Sequence, residues 1–172
     1  MAYNLSEQER YKQAMRHVKD FKGLRGNAAI QWLSNLEWRC GKDFNLAKRV
    51  LPQKLGSDSC RDWYDSLSNI ERNQYPVLKS RFLTQYVPSS FYTELLRFLM
   101  HRKMRNSESV QSYFDCIKEA KKKLGERCPA DSVVCSYFCA GLSEKIRKRL
   151  PLNQCHDSFS NLDQLLESAR II

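Results

Sequence analysis

The sequence predicts an all-α protein made of two small helical domains. Apolar residues recur throughout the chain with the 3.6-residue period of helices, and none of the patterns has the two-residue period of strands. Helix-starting and helix-ending residues separate these patterns at short intervals, which predicts about ten helices. Near the middle, Pro88 followed by Ser89 and Ser90 ends one pattern and can start the next. We therefore expect a first domain over residues 1–87 and a second over 88–172.

The first helices are predicted by their starting residues. Ser6 and Glu9 have the spacing of a capping box. Asn27 is expected to cap the second helix, and Asp43 the third, which Pro52 should end. The apolar face of the second helix is formed by Ala29, Trp32, Leu33 and Leu36. Trp32 lies in register with this face, so we expect it in the core and not at a nucleic-acid surface.

Two further helices complete the first domain. The first follows Gly56 and is predicted as one continuous helix, because its apolar residues keep the helical period over ten positions. These residues are Cys60, Trp63, Leu67 and Ile70. The next begins at Tyr75 and Pro76, since proline is favoured in the first turn of a helix.

The second domain begins with a helix that carries Phe91, Leu95, Phe98 and Leu99. The next helix is expected to be capped by Asn106 or Ser107 and to end at Gly125. Pro129 should open a further helix that Gly141 ends, and Ser143 should cap a short one. Asp157 or Ser158 is the expected cap of the last helix, whose apolar residues are Phe159, Leu162, Leu165, Leu166 and Ala169.

A glutamate precedes the helix that ends at Gly125, and apolar residues follow it at helical spacing. These residues are Glu108, Val110, Tyr113, Phe114 and Ile117. Phe138, Gly141 and Leu142 follow as F-x-x-G-L. Together they resemble the C-terminal capsid domain of retroviral and gypsy-type LTR-retrotransposon Gag proteins, in which a major homology segment leads into a helix. The retroviral segment has Gln-Gly before its glutamate and an arginine in the helix, where this chain has Met104, Arg105 and Cys116.

The first half of the chain resembles the N-terminal capsid domain of the gypsy-type family. The family's F-x-G followed by A-x-x-W-L-x-x-L-E is matched by Phe21, Gly23, Ala29, Trp32, Leu33, Leu36 and Glu37. This resemblance implies a capsid protein that assembles with copies of itself into a shell around RNA. It also implies that the first domain forms rings of subunits and that the second forms a two-fold contact between rings.

The resemblance assigns the two-fold contact to the helix over residues 130–140. If Phe138 and Val134 point into the core, Val133 and Tyr137 face another side of the helix. We expect these two residues at a contact with a second copy of the chain. The alternative is that Tyr137 packs on the last helix of its own domain.

The chain carries 29 basic and 19 acidic residues, which gives a net charge of +10. Residues 1–87 contain 15 basic and 9 acidic residues, so this excess is shared by both predicted domains. We expect weak RNA binding that is insensitive to sequence and decreases steeply with salt. The candidate contacts are Arg102, Lys103, Arg105, Lys121, Lys122, Lys123, Lys145, Arg147, Lys148 and Arg149.

No catalytic motif or cofactor site is recognisable, so an enzyme is not expected. There is no C-x-x-C pair for a zinc knuckle and no Asp-Ser/Thr-Gly of an aspartic protease. Cys135 and Cys139 could share a metal with Cys155 or His156, but burial of these thiols is the preferred interpretation. The chain has no apolar run of 18 residues and no signal region, which predicts a cytoplasmic protein with no membrane partner. In that compartment the seven cysteines are expected to be free thiols.

Two other functional classes fit parts of the sequence. A host protein derived from Gag and similar to the neuronal Arc protein would use the same two domains to bind partner peptides or RNA, and would assemble only conditionally. A dimerisation module similar to the SCAN domain of transcription factors would account for the second half only. It would leave the residues from Phe21 to Tyr86 without a role.

Overall fold

A computed structural model describes residues 6–150 and 162–170 of the chain. The predicted all-α fold is confirmed: the described residues form eleven α-helices and a short 3-10 turn, with no strand longer than an isolated bridge. Contacts within the chain divide it into two compact units, of which the first ends at Pro88 and the second begins at Ser89.

The first unit has six helices and a core dominated by aromatic rings. The helices are α1 (Glu7–His17), α2 (Asn27–Arg39), α3 (Phe44–Gln53), α4 (Asp58–Ser66), α5 (Asn69–Asn73) and α6 (Tyr75–Tyr86). Phe21 precedes α2 and is fully buried, with ring centroids 4.8 Å from Trp32, 4.9 Å from Phe82 and 4.7 Å from Tyr86. Trp63 packs edge-on against the last two rings. The predicted core position of Trp32 is therefore confirmed.

Backbone hydrogen bonds hold Phe21 in this core although it lies outside any helix. Its amide donates to the Lys54 carbonyl at 2.7 Å, and its carbonyl accepts from the Gly56 amide at 2.8 Å. These bonds flank the parallel bridge between Phe21 and Leu55. The indole of Trp32 adds a bond to the Lys19 carbonyl at 2.7 Å. The loop before α2 is thus fixed on both sides of its buried ring.

Three expectations for the first unit are wrong in detail. Asn27 does not cap α2, because Gly26 occupies the N-cap position with a positive φ of 62°. The predicted helix after Gly56 is two helices, since Ser68 starts α5 with its own capping box. Pro52 lies within the last turn of α3, which ends one residue later at Gln53. The predicted caps Ser6 and Asp43 are confirmed.

The second unit is built around α8. Its helices are α7 (Ser89–His101), α8 (Val110–Leu124), α9 (Asp131–Gly141), α10 (Glu144–Arg147) and α11 (Leu162–Arg170), with the 3-10 turn Gly125–Arg127 after α8. Both α7 and α11 pack on α8 and α9. The predicted apolar face of α11 is buried, and Gly125 ends α8 with a positive φ of 55°. The predicted caps Asp157 and Ser158, and the core residue Phe159, lie outside the described residues.

The start of α8 differs from the prediction. Ser109 is its N-cap, and the Ser109 hydroxyl accepts a hydrogen bond from the Ser112 amide at 3.1 Å. Asn106 and Ser107 therefore belong to the preceding segment and do not cap the helix. Glu108 consequently lies just outside α8, where its carboxylate meets Arg102 after the end of α7 and not the first turn of α8.

Candidate self-association and nucleic-acid surfaces

Glu108 forms the centre of a polar network within the segment that connects α7 to α8. One carboxylate oxygen lies 2.5 Å from the Arg102 guanidinium, and the other accepts a hydrogen bond from the Arg105 amide at 2.9 Å. The side chains of Arg102 and Glu108 are only 13% and 9% exposed. A carboxylate this shielded needs a charged partner. Arg102, the first residue after α7, supplies it.

A second layer of the network joins Arg102, directly after α7, to α8 and α9. The Tyr113 ring is stacked on Phe138 with centroids 5.0 Å apart, and the Arg102 guanidinium lies over the Tyr113 ring. The Tyr113 hydroxyl is within hydrogen-bonding distance of the carbonyls of Arg102 at 3.2 Å and Phe138 at 3.3 Å. Gly141 allows this approach, because a Cβ at its position would overlap the Tyr113 hydroxyl and the Arg102 carbonyl oxygen.

The charges in this network favour its ionised form. Burial opposes ionisation of Glu108, but hydrogen bonds from the Arg105 amide and the Arg102 guanidinium outweigh it and lower the pKa of the carboxyl. Burial likewise opposes the charge on Arg102, yet the bond to Glu108 raises the pKa of the guanidinium. Burial raises the pKa of Tyr113 to about 12. At neutral pH the network thus consists of a carboxylate, a guanidinium and a protonated hydroxyl.

Helix α9 has one buried face and one that is partly open. Val134 and Phe138 are buried together with Cys135 and Cys139, as expected from the helical period. On the other side Val133 is 38% exposed, and Tyr137 is half-buried. The two residues predicted for the two-fold contact therefore lie next to each other on the α9 surface, one turn apart.

The cations predicted to contact RNA fall into two groups. Arg102 is enclosed in the ion pair with Glu108, which argues against a role for it in RNA binding. Three lysines are paired on the surface: Lys121 with Asp131 at 2.7 Å, Lys123 with Glu119 at 2.6 Å and Lys148 with Glu144 at 2.7 Å. The hydrogen bond that Lys121 donates to the Asp131 carboxylate raises the pKa of the lysine. These pairs are partly exposed, so each neutralises charge without binding its partner firmly.

The remaining cations are exposed. Lys103, Lys122, Lys145 and Arg147 form no ion pair with any residue that the structure describes, and Arg105 and Arg149 are also exposed. Lys145 and Arg147 belong to α10, and Lys122 to the last turn of α8. These side chains are the ones in the second unit that are best placed to meet phosphate groups.

An open cleft of about 420 Å³ lies at the C-terminal end of α7. Its lining mixes cations with an exposed ring: Glu94, Arg97, Phe98, His101, Arg102 and Lys103. Arg97 of α7 and Lys103, which follows the helix, both line the cleft and are exposed. Its openness suits a flat or flexible partner more than a small enclosed ligand.

The described cysteines form no disulfide with one another. Burial raises the pKa of Cys135, and Cys139 is buried one turn after it. Cys155 and His156, with which they could share a metal, lie outside the described residues. No group of potential metal ligands occurs among residues 6–150 and 162–170.

No helix in the described part of the chain has both the length and the apolarity needed to cross a membrane. Comparisons of this chain with protein-family models, curated proteins and solved structures find no match.

Proposed function

We propose that this chain is a capsid-type structural protein that assembles with copies of itself around RNA in the cytoplasm, as in gypsy-type Gag particles. The observation that carries the proposal is the partly open face of α9, where the apolar side chain of Val133 is 38% exposed beside Tyr137. A second copy of the chain would cover this face in a two-fold contact, because a two-fold axis brings the same surface of both chains together.

The polar network around Glu108 supports the same proposal. The resemblance to the major homology segment rests on this glutamate and on Tyr113. Glu108 pairs with Arg102, and the Tyr113 hydroxyl of α8 meets the carbonyls of Arg102 and of Phe138 in α9. The network therefore fixes the position of α9 within its unit. A rigid α9 suits self-association, since a preorganised surface loses less conformational entropy when it binds.

RNA would be the polyanion that the assembled chains enclose. The net charge of +10 and the exposed cations of α8 and α10 support weak binding through phosphate groups. Affinity should then decrease steeply with salt and differ little between unrelated RNA sequences. Replacing both Lys145 and Arg147 by Gln should weaken the binding of all sequences to a similar extent.

The two-fold contact is tested by Tyr137→Ala, with Ser136→Ala as the control at an exposed neighbour. We expect Tyr137→Ala to weaken the dimer by more than about 1 kcal/mol, roughly fivefold in Kd, with little change in melting temperature. Analytical ultracentrifugation and thermal unfolding measure the two effects. A fall of about ten degrees in melting temperature would instead place Tyr137 in the core of its own unit.

Electron microscopy of the full chain with RNA, over a range of salt concentrations, tests assembly itself. Closed shells at low salt are expected, and Tyr137→Ala should reduce them. A protein that forms only dimers under all of these conditions would contradict the capsid proposal. That result would favour the alternative of a Gag-derived host protein whose assembly is conditional.

A further inference from the structure

The first unit exposes two aromatic rings at the turn between α2 and α3. Trp38 is 65% exposed and Phe44 is 54% exposed, although rings of this size are usually more buried. Trp38 lies on the side of α2 opposite to the buried residues Leu33 and Leu36. Packing in the core of the unit therefore does not explain why either position has an aromatic residue.

The turn that carries these rings is tightly hydrogen-bonded. The amide of Gly41 donates to the Trp38 carbonyl at 3.0 Å, and the amide of Lys42 donates to the Glu37 carbonyl at 2.9 Å. This is the Schellman arrangement that ends a helix. Lys42 has a φ of 62°, a conformation that favours glycine over lysine. The turn thus holds a lysine at a position where the backbone alone would prefer another residue.

The ring of Phe44 packs with one face on another aromatic ring. It is stacked on Tyr75 with centroids 5.2 Å apart and an interplanar angle of 21°. The Tyr75 hydroxyl donates to the Glu37 carboxylate at 3.0 Å, and burial together with that carboxylate raises the pKa of Tyr75. The hydroxyl therefore stays protonated and keeps the bond. One face of Phe44 rests on a fixed neighbour, while about half of the side chain remains open to solvent.

The turn that carries the two rings also carries two exposed cations, Arg39 and Lys42. The Arg39 guanidinium lies 4.5 Å from the centre of the Trp38 ring, and neither Arg39 nor Lys42 forms an ion pair with a residue that the structure describes. The nearby carboxylates are already engaged. Glu37 is bound by Lys79 at 2.7 Å, and Asp43 is bound by Arg10 at 3.2 Å and caps α3.

We propose that Trp38 and Phe44, with Arg39 and Lys42, form a site for single-stranded nucleic acid. Bases would stack on the exposed ring faces, and the two cations would contact the phosphates that join them. Every base has an aromatic face, so such a site binds many sequences. The choice of ligand rests on the proposed RNA partner, but the site contains none of the cations of the second unit.

The test measures binding of the full chain to poly(U), with a duplex RNA for comparison. Trp38→Ala should weaken poly(U) binding at least about fivefold and affect duplex binding little, because paired bases cannot stack on the ring. Trp38→Tyr should retain most of the affinity. Ile70→Ala is the matched control, since it removes a 70% exposed apolar side chain from the same unit.

Lys42→Gly separates binding from folding. The change removes a charge and relieves the unfavourable φ, so poly(U) binding should weaken severalfold while the melting temperature stays constant or rises. Unchanged poly(U) binding in both Trp38→Ala and Lys42→Gly would overturn the site. So would a Trp38→Ala protein that binds poly(U) normally but loses self-association, because the rings would then contact another chain.

Failure of this site and failure of the proposed function give different results. If the Lys145 and Arg147 replacements weaken poly(U) binding and Trp38→Ala does not, the site is wrong and the RNA-binding proposal stands. If the full chain binds no poly(U) at low salt, the site is wrong and RNA is not the partner. Shell or dimer formation is measured independently by microscopy and ultracentrifugation.

Discussion

The two units are stabilised in different ways. The first unit surrounds one loop residue, Phe21, with aromatic rings from α2 and α6. The second unit has a shielded ion pair in the connection between α7 and α8 and a close helix contact at Gly141. The first arrangement depends on the volume of the buried rings. The second depends on charge and on the close approach of backbone at Gly141. They should therefore respond to different substitutions and to different changes in solution.

The largest expected loss of stability follows from removing a ring at the centre of the first unit. Phe82 is fully buried and packs against Phe21, Trp32, Trp63 and Tyr86. Phe82→Ala should lower the free energy of unfolding by about 3–5 kcal/mol. All three tryptophans of the chain lie in this unit, so their fluorescence in denaturant reports its unfolding.

The partly exposed Phe98 of the second unit provides the control for Phe82. Phe98 is 37% exposed, so Phe98→Ala should cost much less and should leave the tryptophan transition unchanged. Equal shifts of the fluorescence and circular dichroism transitions by Phe82→Ala would show that the two units unfold together. In that case the contrast between them could not be measured by unfolding.

The second unit should be most sensitive at Gly141. Gly141→Ala would force the Tyr113 hydroxyl and the Arg102 carbonyl away from α9, at a cost of about 3 kcal/mol. The loss should appear in circular dichroism and not in tryptophan fluorescence. Adding Tyr113→Phe should restore part of it, because the hydroxyl is one of the two overlapping groups. No recovery in the double variant would mean that the backbone contact alone limits the approach.

The Arg102–Glu108 pair should make the second unit sensitive to acid. The pKa of Glu108 is lowered in the folded state, so the stabilisation is complete above the unfolded value of about 4.3 and is lost as the pH falls through the folded value. At pH 7, Glu108→Gln should cost about 2 kcal/mol. This difference from the unchanged protein should shrink below about pH 4.

The pH prediction has a control in the same unit. Glu126 is exposed in the turn after α8, and Glu126→Gln should change the stability little at any pH. Circular dichroism in denaturant, measured from neutral to acidic pH, follows all three proteins. A Glu108→Gln deficit that stays constant into acid would show that the carboxylate does not stabilise this unit through its charge.

How much of the structure the sequence predicts depends on how local the interactions are. The all-α fold, the capping box at Ser6 and the end of α8 at Gly125 depend on neighbouring residues, and each was predicted. The ion pair of Arg102 with Glu108 was not predicted, because it depends on how the segment between α7 and α8 folds. Arg102 was instead assigned to RNA from its charge, because the sequence alone does not distinguish an exposed cation from one shielded in an ion pair.

The candidate surfaces show the same limit. The helical period correctly separated Val133 from the buried face of α9, since it needs only the position of Phe138. Trp38 could have been recognised as exposed by the same rule, because it lies opposite the apolar face of α2. Phe44 could not, since its support by Tyr75 joins residues 31 positions apart.

The smallest expected effects concern the starts of α2 and α8, which again differ between the units. Ser109 caps α8 with its side chain, so Ser109→Ala should cost about 1 kcal/mol. Asn27 makes no cap bond, and its Oδ1 atom is buried with no hydrogen-bond partner among the described residues. Asn27→Ala should therefore cost less than about 0.5 kcal/mol, because it removes a buried polar group that is not satisfied. Tryptophan fluorescence in denaturant measures the first unit and circular dichroism the second. A loss of about 1 kcal/mol in Asn27→Ala would show that this side chain does cap α2 in solution, as its sequence position suggests.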